Sequence, residues 1–163
     1  MDMQVGIVLG SRSQWNTMKH TAELLAHLGI TYEARIITAN KNSNQLHEYA
    51  SKAINRGLEI IIAGSTGKTY LPGIIASKTE VPVLGIQINN SNGQKKDYDS
   101  DSDSNKINTI RMLDTGAEGA TNAALFAAGM LANKHPRIRE NLMNYRNQNE
   151  HKKDSREKPR NNS

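Results

Sequence analysis

Short apolar runs alternate with amphipathic segments along this chain. Strands are predicted at Val5–Leu9, Tyr32–Thr38, Leu58–Ala63, Val81–Ile86 and Ile107–Leu113, which are the apolar or β-branched runs. Helix-length segments separate the strands, and glycine follows the first two helical patterns. Such alternation favours parallel strands joined by right-handed crossovers. The pattern therefore predicts one three-layer α/β domain with a flavodoxin-like or Rossmann-like parallel sheet.

Two polar stretches interrupt this pattern and set the expected limits of the domain. Residues 89–106 contain one large apolar side chain, Tyr98, and cannot bury enough surface to offset their ordering entropy. We expect a mobile loop there. An amphipathic segment, Ile138–Tyr145, precedes a polar stretch without apolar periodicity. The predicted domain is therefore 1–146, followed by a basic disordered tail at 147–163.

The net charge of +5 comes from the C-terminal residues 134–163. Residues 1–133 hold 12 Lys and Arg against 12 Asp and Glu, whereas residues 134–163 hold 9 against 4. With only 4% aromatic residues, the domain has neither the basic surface nor the stacking groups that favour nucleic-acid binding. The chain has no cysteine, no zinc-like histidine spacing and no apolar run of membrane-spanning length. We expect a cytoplasmic protein without metal, membrane or nucleic acid.

Three loops rich in small polar residues follow the first three strands. They are Gly10–Gln14, Thr38–Ser43 and Gly64–Tyr70, and ligands of doubly wound sheets bind at this carboxyl edge. The third loop contains Gly-Lys-Thr, but Ile62 stands where a P-loop needs its first glycine. A seat for an anion on backbone N–H groups, helped by Lys68, fits the residues better than a nucleotide triphosphatase loop. The three loops contain no Asp, Glu or His that could carry a proton near neutral pH.

A segment of small residues, Gly119–Ala132, predicts a helix that approaches its neighbours closely. Two uses fit it equally well: a helix inside the core and a contact between subunits.

Several of these motifs together resemble the PurE family, which comprises the N5-carboxyaminoimidazole ribonucleotide mutases and the catalytic subunit of AIR carboxylase. The resemblance spans residues 4–146 and rests on Gly10–Trp15, Thr38–Lys41, Ala63–Gly73, Val81–Gly85 and Gly119–Ala124. It implies a flavodoxin-like domain assembled as a homo-octamer, without metal or organic cofactor. It also implies a reaction that moves a carboxylate from N5 to C4 of an aminoimidazole ribonucleotide through released carbon dioxide.

The chain departs from the family pattern at positions that the resemblance assigns to chemistry. Gln14 replaces an aspartate that holds ribose hydroxyls, Asn40 a proton-shuttling histidine, and Lys41 a phosphate-binding arginine. Tyr70 replaces the histidine before Leu-Pro-Gly, and the Asp-Ser segment replaces a loop that closes over the substrate. An asparagine cannot exchange a proton near pH 7, and such catalysis is worth about 10²–10⁴-fold.

We therefore expect a divergent PurE-like protein that binds an aminoimidazole-ribonucleotide-like or other phosphorylated ligand, with mutase activity lost or very weak. Two alternatives stay open: an active mutase or related nucleotide carboxylase whose proton path runs through Tyr70 or Lys68, and a non-catalytic structural or regulatory subunit. Asn40 and Tyr70 occupy the family's catalytic positions. The predicted ligand contacts are Ser11, Ser13, Gln14, Asn40, Lys41, Ser65, Thr66, Gly67 and Lys68.

Overall fold

The computed structural model describes residues 2–39, 41–66, 70–88 and 110–156, without the side chains of 110–114 and 154–156. The strands are β1 (Val5–Leu9), β2 (Tyr32–Ile36), β3 (Ile60–Ser65), β4 (Val83–Gln87) and β5 (Ile110–Thr115). The helices are α1 (Trp15–His27), α2 (Ser43–Lys52), α3 (Leu71–Ala76), α4 (Gly116–Leu131) and α5 (Pro136–Arg156), and a 3₁₀ turn at Arg12–Gln14 leads into α1.

The strands form one parallel sheet in the order β2-β1-β3-β4-β5. The order reverses between β1 and β3, which pair in the register Val5 with Ile60 and Val8 with Ala63. This is the flavodoxin-like strand order, and the predicted fold class is confirmed.

Buried side chains cover both faces of the sheet. On one face, Ile7 and Ile62 pack with Met18 and Leu25 of α1 and with the alanines of α4. On the other face, residues of α2 and α3 such as Leu46 and Ile75 pack on the sheet. Because both faces are covered, the central strands read as continuous apolar runs, which is why the sequence predicts them well.

Helix α4 belongs to the core on one side. Ala120, Ala123, Ala124, Ala127 and Ala128 have no exposed surface, and they lie in the core cluster that includes α1. Thr21 Oγ1 of α1 donates a hydrogen bond to the Ala120 carbonyl at 2.7 Å, a contact that needs closely spaced helices. Of the two predicted uses of this segment, the described residues show packing inside the core. Its other side keeps Phe126 44% exposed.

Of the two predicted polar stretches, the C-terminal one differs from its prediction in the part that the structure describes. Helix α5 continues to Arg156, so residues 147–156 are helical where the sequence predicted disorder. The absence of apolar periodicity suggested disorder, but residues 137–156 contain neither glycine nor proline to end a helix. The predicted loop at 89–106 and the end of the tail, 157–163, lie outside the described residues.

No helix in the described ranges is both long and apolar enough to cross a bilayer.

Tyr49 of α2 reaches the sheet at a place where only glycine leaves room. A Cβ atom built on Gly6 of β1 would collide with Tyr49 Oη and would also lie 3.3 Å from Leu58 Cδ1. Neither Tyr49 Oη nor the neighbouring Glu33 Oε1 has a hydrogen-bond partner among the described residues. Burial, followed by the negative charge of Glu33, raises the pKa of Tyr49, so the phenol stays neutral.

A carboxylate joins the entrance of β3 to the turn between α4 and α5. Glu59 accepts hydrogen bonds from Lys134 Nζ at 2.8 Å and from the His135 ring at 2.7 Å. Partial burial acts to raise the pKa of Glu59, but these two hydrogen bonds and the adjacent charges outweigh it. The net result is a pKa below the ordinary value of 4.5.

We predict that Gly6→Ala destabilises the fold by about 1–3 kcal/mol, because the new methyl group must displace a buried tyrosine ring. Tyr49→Phe should cost less than Gly6→Ala, since the hydroxyl that it removes makes no well-formed hydrogen bond with the described residues. In the double variant the alanine should cost less than in the wild type, and urea unfolding of all four proteins measures this coupling. Additive effects would contradict the proposed collision.

We predict that Glu59→Gln lowers stability at pH 7 by about 0.5–1 kcal/mol, since Lys134 is largely exposed. A carboxylate with a lowered pKa stabilises the fold above its unfolded pKa and loses that contribution as the pH falls through its folded pKa. The difference from wild type should therefore narrow as the pH falls, in denaturation curves measured from pH 7 to 3. Glu23→Gln, an exposed change on α1, is the control; a gap as wide at pH 3 as at pH 7 contradicts the assignment.

Candidate functional site

The carboxyl ends of β1, β2 and β3 surround a cavity of about 130 Å³. Backbone pairing holds the three strand ends together: the Ile37 amide donates to the Leu9 carbonyl at 2.8 Å between β2 and β1, and β1 pairs with β3 as far as Val8 opposite Ala63. The residues that line the cavity are Gly10, Ser11, Gln14, Thr38, Ala39, Gly64, Thr66 and Leu71. All three predicted loops thus contribute to one concave site.

The first loop turns directly into a helix. The backbone N–H of Gln14 donates a hydrogen bond to the Ser11 carbonyl at 3.3 Å in the 3₁₀ turn, and α1 follows without a break. The Ser11 hydroxyl pairs with the Ser13 hydroxyl at 2.8 Å and caps no backbone amide. The cavity therefore lies at the positive end of a helical segment, where electron-rich groups are favoured.

Gln14 is the most buried polar side chain in the wall of the cavity, with 5% of its surface exposed. Its Oε1 atom accepts a hydrogen bond from the Gly10 amide at 2.9 Å. A Cβ atom on Gly64 would lie 3.0 Å from Oε1, and one on Gly10 would lie 3.3 Å from Nε2. Two glycines at the ends of β1 and β3 thus provide the space that this side chain occupies.

The second loop closes the opposite wall. Thr38 Oγ1 donates to the Gly10 carbonyl at 3.3 Å, which ties the second loop to the first. The amides of Lys41 and Asn42 bond to the Thr38 carbonyl at 3.2 and 2.9 Å, so the chain turns sharply here. Lys41 is exposed and does not line the cavity. Asn40 lies outside the described residues.

The third loop gives the remaining wall. Ser65 is fully buried at the end of β3, and Thr66 lines the cavity. Gly67 and Lys68 lie outside the described residues. The ring of Tyr70 packs against its own helix, since a Cβ atom on Gly73 would collide with Tyr70 Cδ1, and Tyr70 is not among the lining residues. Of the predicted contacts that the structure describes, Ser11, Gln14 and Thr66 line the cavity. The lining does not include Ser13, Lys41 or Ser65.

Sequence reasoning did not single out five of the lining residues. Gly10, Thr38, Ala39 and Gly64 belong to the predicted loops, and Leu71 opens α3. Gly10 and Gly64 could have been singled out from the sequence, because a glycine at a strand end often marks a place where another group approaches the backbone closely. Among the described residues, no cluster of three or more His, Asp or Glu side chains is suited to a metal ion.

Comparisons with known proteins extend over almost the whole chain. A sequence model of the family described as AIR carboxylase matches residues 4–152. The N5-carboxyaminoimidazole ribonucleotide mutase of Pseudomonas aeruginosa is 40% identical over 154 residues, covering 90% of each chain. The mutase of Pyrococcus horikoshii is 41% identical and covers 86% of this chain and 79% of its own. A crystal structure of Treponema denticola PurE has a TM-score of 0.72 over 96% of this chain and 99% of its own; at 20% identity it supports the fold alone.

These relatives overturn one expectation from the sequence. We expected mutase activity to be lost or very weak and inclined against an enzyme. That expectation is wrong, because relatives at 36–41% identity over most of both chains are named as the mutase. The sequence argument judged exchanged side chains one at a time, and one of them, Tyr70, does not line the cavity at all.

A family model covering nine-tenths of the chain and relatives of this similarity lead to one conclusion: the chain belongs to the AIR carboxylase (PurE) family.

Proposed function

We propose that this protein is an active N5-carboxyaminoimidazole ribonucleotide mutase of purine biosynthesis. The observation that carries the proposal is the identity of 36–41% to relatives with that name, which extends over most of both chains. The position of the cavity adds support, since it lies at the reversal of strand order, where doubly wound sheets bind their ligands.

The reaction places three demands on the site. The bond between N5 and the carboxylate breaks, carbon dioxide is released, and N5 keeps the electron pair and takes up one proton. C4 of the ring then attacks the carbon dioxide, and C4 loses one proton, so that the overall reaction neither consumes nor releases a proton. The site therefore has to hold the ribonucleotide, retain carbon dioxide and move one proton.

The described wall is suited to the first two demands. It consists of glycine, hydroxyl, amide and aliphatic groups, with no carboxylate to repel an anionic substrate. A volume of about 130 Å³ is below the roughly 300–1,000 Å³ of sites that enclose a drug-sized molecule, so the cavity surrounds part of the substrate. We propose that the substrate contacts are Ser11, Ser13, Gln14, Asn40, Lys41, Ser65, Thr66, Gly67 and Lys68.

Proton transfer requires a group other than those in the described wall. Serine, threonine and glutamine do not titrate near pH 7, and no described lining residue is Asp, Glu or His. We assign the proton to Lys68 or Tyr70, each of which needs a lowered pKa for this role. The Tyr70 ring lies against α3 outside the cavity wall, so for this role it would have to turn toward the cavity, beside Leu71.

We also propose a cytoplasmic homo-octamer in which the outer side of α4 contacts a second copy. Phe126 is 44% exposed there, and Leu125 and Met130 are partly buried beside it. Light scattering of the purified protein tests this: Phe126→Glu should lower the molar mass while the far-ultraviolet spectrum stays unchanged. A monomeric wild type would contradict the assembly.

We predict that the purified wild-type protein interconverts the two carboxylated aminoimidazole ribonucleotides well above the solution rate, as followed by chromatography. Removing the proton carrier, by Tyr70→Phe or Lys68→Met, should lower kcat by about 10²–10⁴-fold. Tyr32→Phe and Lys78→Met are matched controls outside the cavity and should leave kcat unchanged. A folded wild-type protein without turnover would contradict the proposed function.

We predict that Gly64→Ala lowers kcat/KM at least tenfold, because the new methyl group would lie 3.0 Å from Gln14 Oε1 and would displace that side chain. The same methyl group would lie 2.7 Å from Ile88 Cδ1, a flexible end that can move. Ile88→Val in the Gly64→Ala background separates the two contacts. Thermal stability should recover in the double variant while kcat/KM stays low; full recovery of both would show that Gln14 is not involved.

A further inference from the structure

Strand β2 forms one edge of the sheet, and no strand pairs with its outer side in the described part of the chain. Ala34, Arg35 and Ile36 are exposed, and the exposed fraction of Ile36 is 46%. The strand keeps a regular register with β1 and contains neither a proline nor a bulge, which are common protections of an edge. An edge of this kind is open to pairing with another strand.

The backbone hydrogen bonds to β1 show which residues of β2 face outward. The Thr31 carbonyl accepts from the Val5 amide at 3.1 Å, and the Ile37 amide donates to the Leu9 carbonyl at 2.8 Å. Residues 31 and 37 thus direct backbone groups toward β1. Because backbone groups point to alternate sides along a strand, residues 33 and 35 do the same. The residues whose N–H and C=O groups point away from the sheet are therefore Tyr32, Ala34 and Ile36.

The charges on β2 favour one alignment with a second copy of the strand. Glu33 and Arg35 flank Ala34 on one face of the sheet, with Arg35 Nη2 3.6 Å from Glu33 Oε2. In an antiparallel pair centred on Ala34, each Glu33 would lie opposite the Arg35 of the other copy, which is a favourable pair of charges. Centring the pair on Glu33 or on Arg35 would place like charges opposite each other. The sequence of this strand is thus complementary to itself in one register.

The backbone fits the same register. In an antiparallel pair, residues that exchange both N–H···O bonds alternate with residues whose side chains approach more closely. With Ala34 at the centre, the outward-facing residues form the hydrogen-bonded pairs, and the two charged residues form the closer pairs. Tyr32, which is partly buried, would then lie opposite the exposed Ile36 of the second copy, and an aromatic ring beside a β-branched side chain is a favourable cross-strand pair.

We propose that β2 is an interface between two copies of this chain, in which the two strands pair antiparallel about a twofold axis at Ala34. The contact joins two five-stranded sheets into one of ten strands. Because it is isologous, it joins copies only in pairs, and a larger assembly needs a further surface such as the outer side of α4. The inference goes beyond the proposed function and requires neither mutase activity nor the α4 contact.

Cysteine cross-linking tests the geometry, because the chain has no cysteine of its own. In the proposed pair the two Cα atoms at position 34 are about 5.5 Å apart, within the roughly 4.4–6.8 Å that a disulfide spans. Ala34→Cys, oxidised with copper phenanthroline, should give a covalent dimer on a non-reducing gel. Ala26→Cys, the same change at an exposed position of α1, is the control and should not cross-link.

Light scattering tests whether the backbone and the charges hold the contact. Ala34→Pro removes an N–H that points outward and leaves the bonds to β1 in place. Arg35→Glu puts a carboxylate opposite Glu33 of the other copy, whereas Arg35→Lys keeps the positive charge. At equal protein concentration the first two variants should have a lower molar mass than the wild type, and Arg35→Lys should not. Far-ultraviolet spectra show that each variant is folded.

A covalent dimer of Ala34→Cys together with the lower molar masses supports the inference. A folded Ala34→Cys protein without a covalent dimer overturns it, because the edge would then take something other than a second copy. An unchanged molar mass in either folded variant, Ala34→Pro or Arg35→Glu, also overturns it. A monomeric wild type contradicts this contact and the proposed octamer together, whereas an oligomer that fails the cross-linking test contradicts this contact alone. The outcome does not depend on turnover, so an inactive protein leaves the test intact.

Discussion

The parallel pairing of β1 with β3 is the constraint on which the candidate site depends. This pairing puts Val8 opposite Ala63, so the chain leaves both strands at the same level, and Gly10 and Gly64 come to lie on either side of one side chain. Gln14 fits between them because neither carries a Cβ atom. The site is thus a property of two strands that are about fifty residues apart in the chain, and a register shift of one residue would remove it.

The fold was largely predictable from the sequence because its main signals are local. Strands buried on both faces give continuous apolar runs, as in Ile60–Ser65, and the alternation with helices favours a parallel sheet. Helix α5 was the main error. The later turns of α5 lack an apolar stripe, and that absence suggested disorder. Residues 147–156 contain no glycine or proline that would end the helix, and adding residues to a formed helix costs less than starting a new one.

The site was predictable at the level of loops and less so at the level of residues. Loops after neighbouring parallel strands must meet, and Ser11 and Thr66 do line one cavity. The roles of single side chains depend on contacts between residues far apart in sequence, such as Gly10 and Gly64 around Gln14, and no spacing rule contains them. The same limit explains the wrong expectation about activity, which treated exchanged residues as independent of the rest of the site.

The composition of the cavity wall has a consequence for how its chemistry responds to acidity. Glycine, alanine, leucine, serine, threonine and glutamine make up the described wall, and none of them gains or loses a proton in the physiological range. The hydrogen-bonding capacity of this wall is therefore constant from mildly acidic to mildly alkaline solution. Any change of affinity over that range reports on the ligand, such as the phosphate of the proposed ribonucleotide substrate, which changes charge near pH 6, or on groups that lie outside this wall.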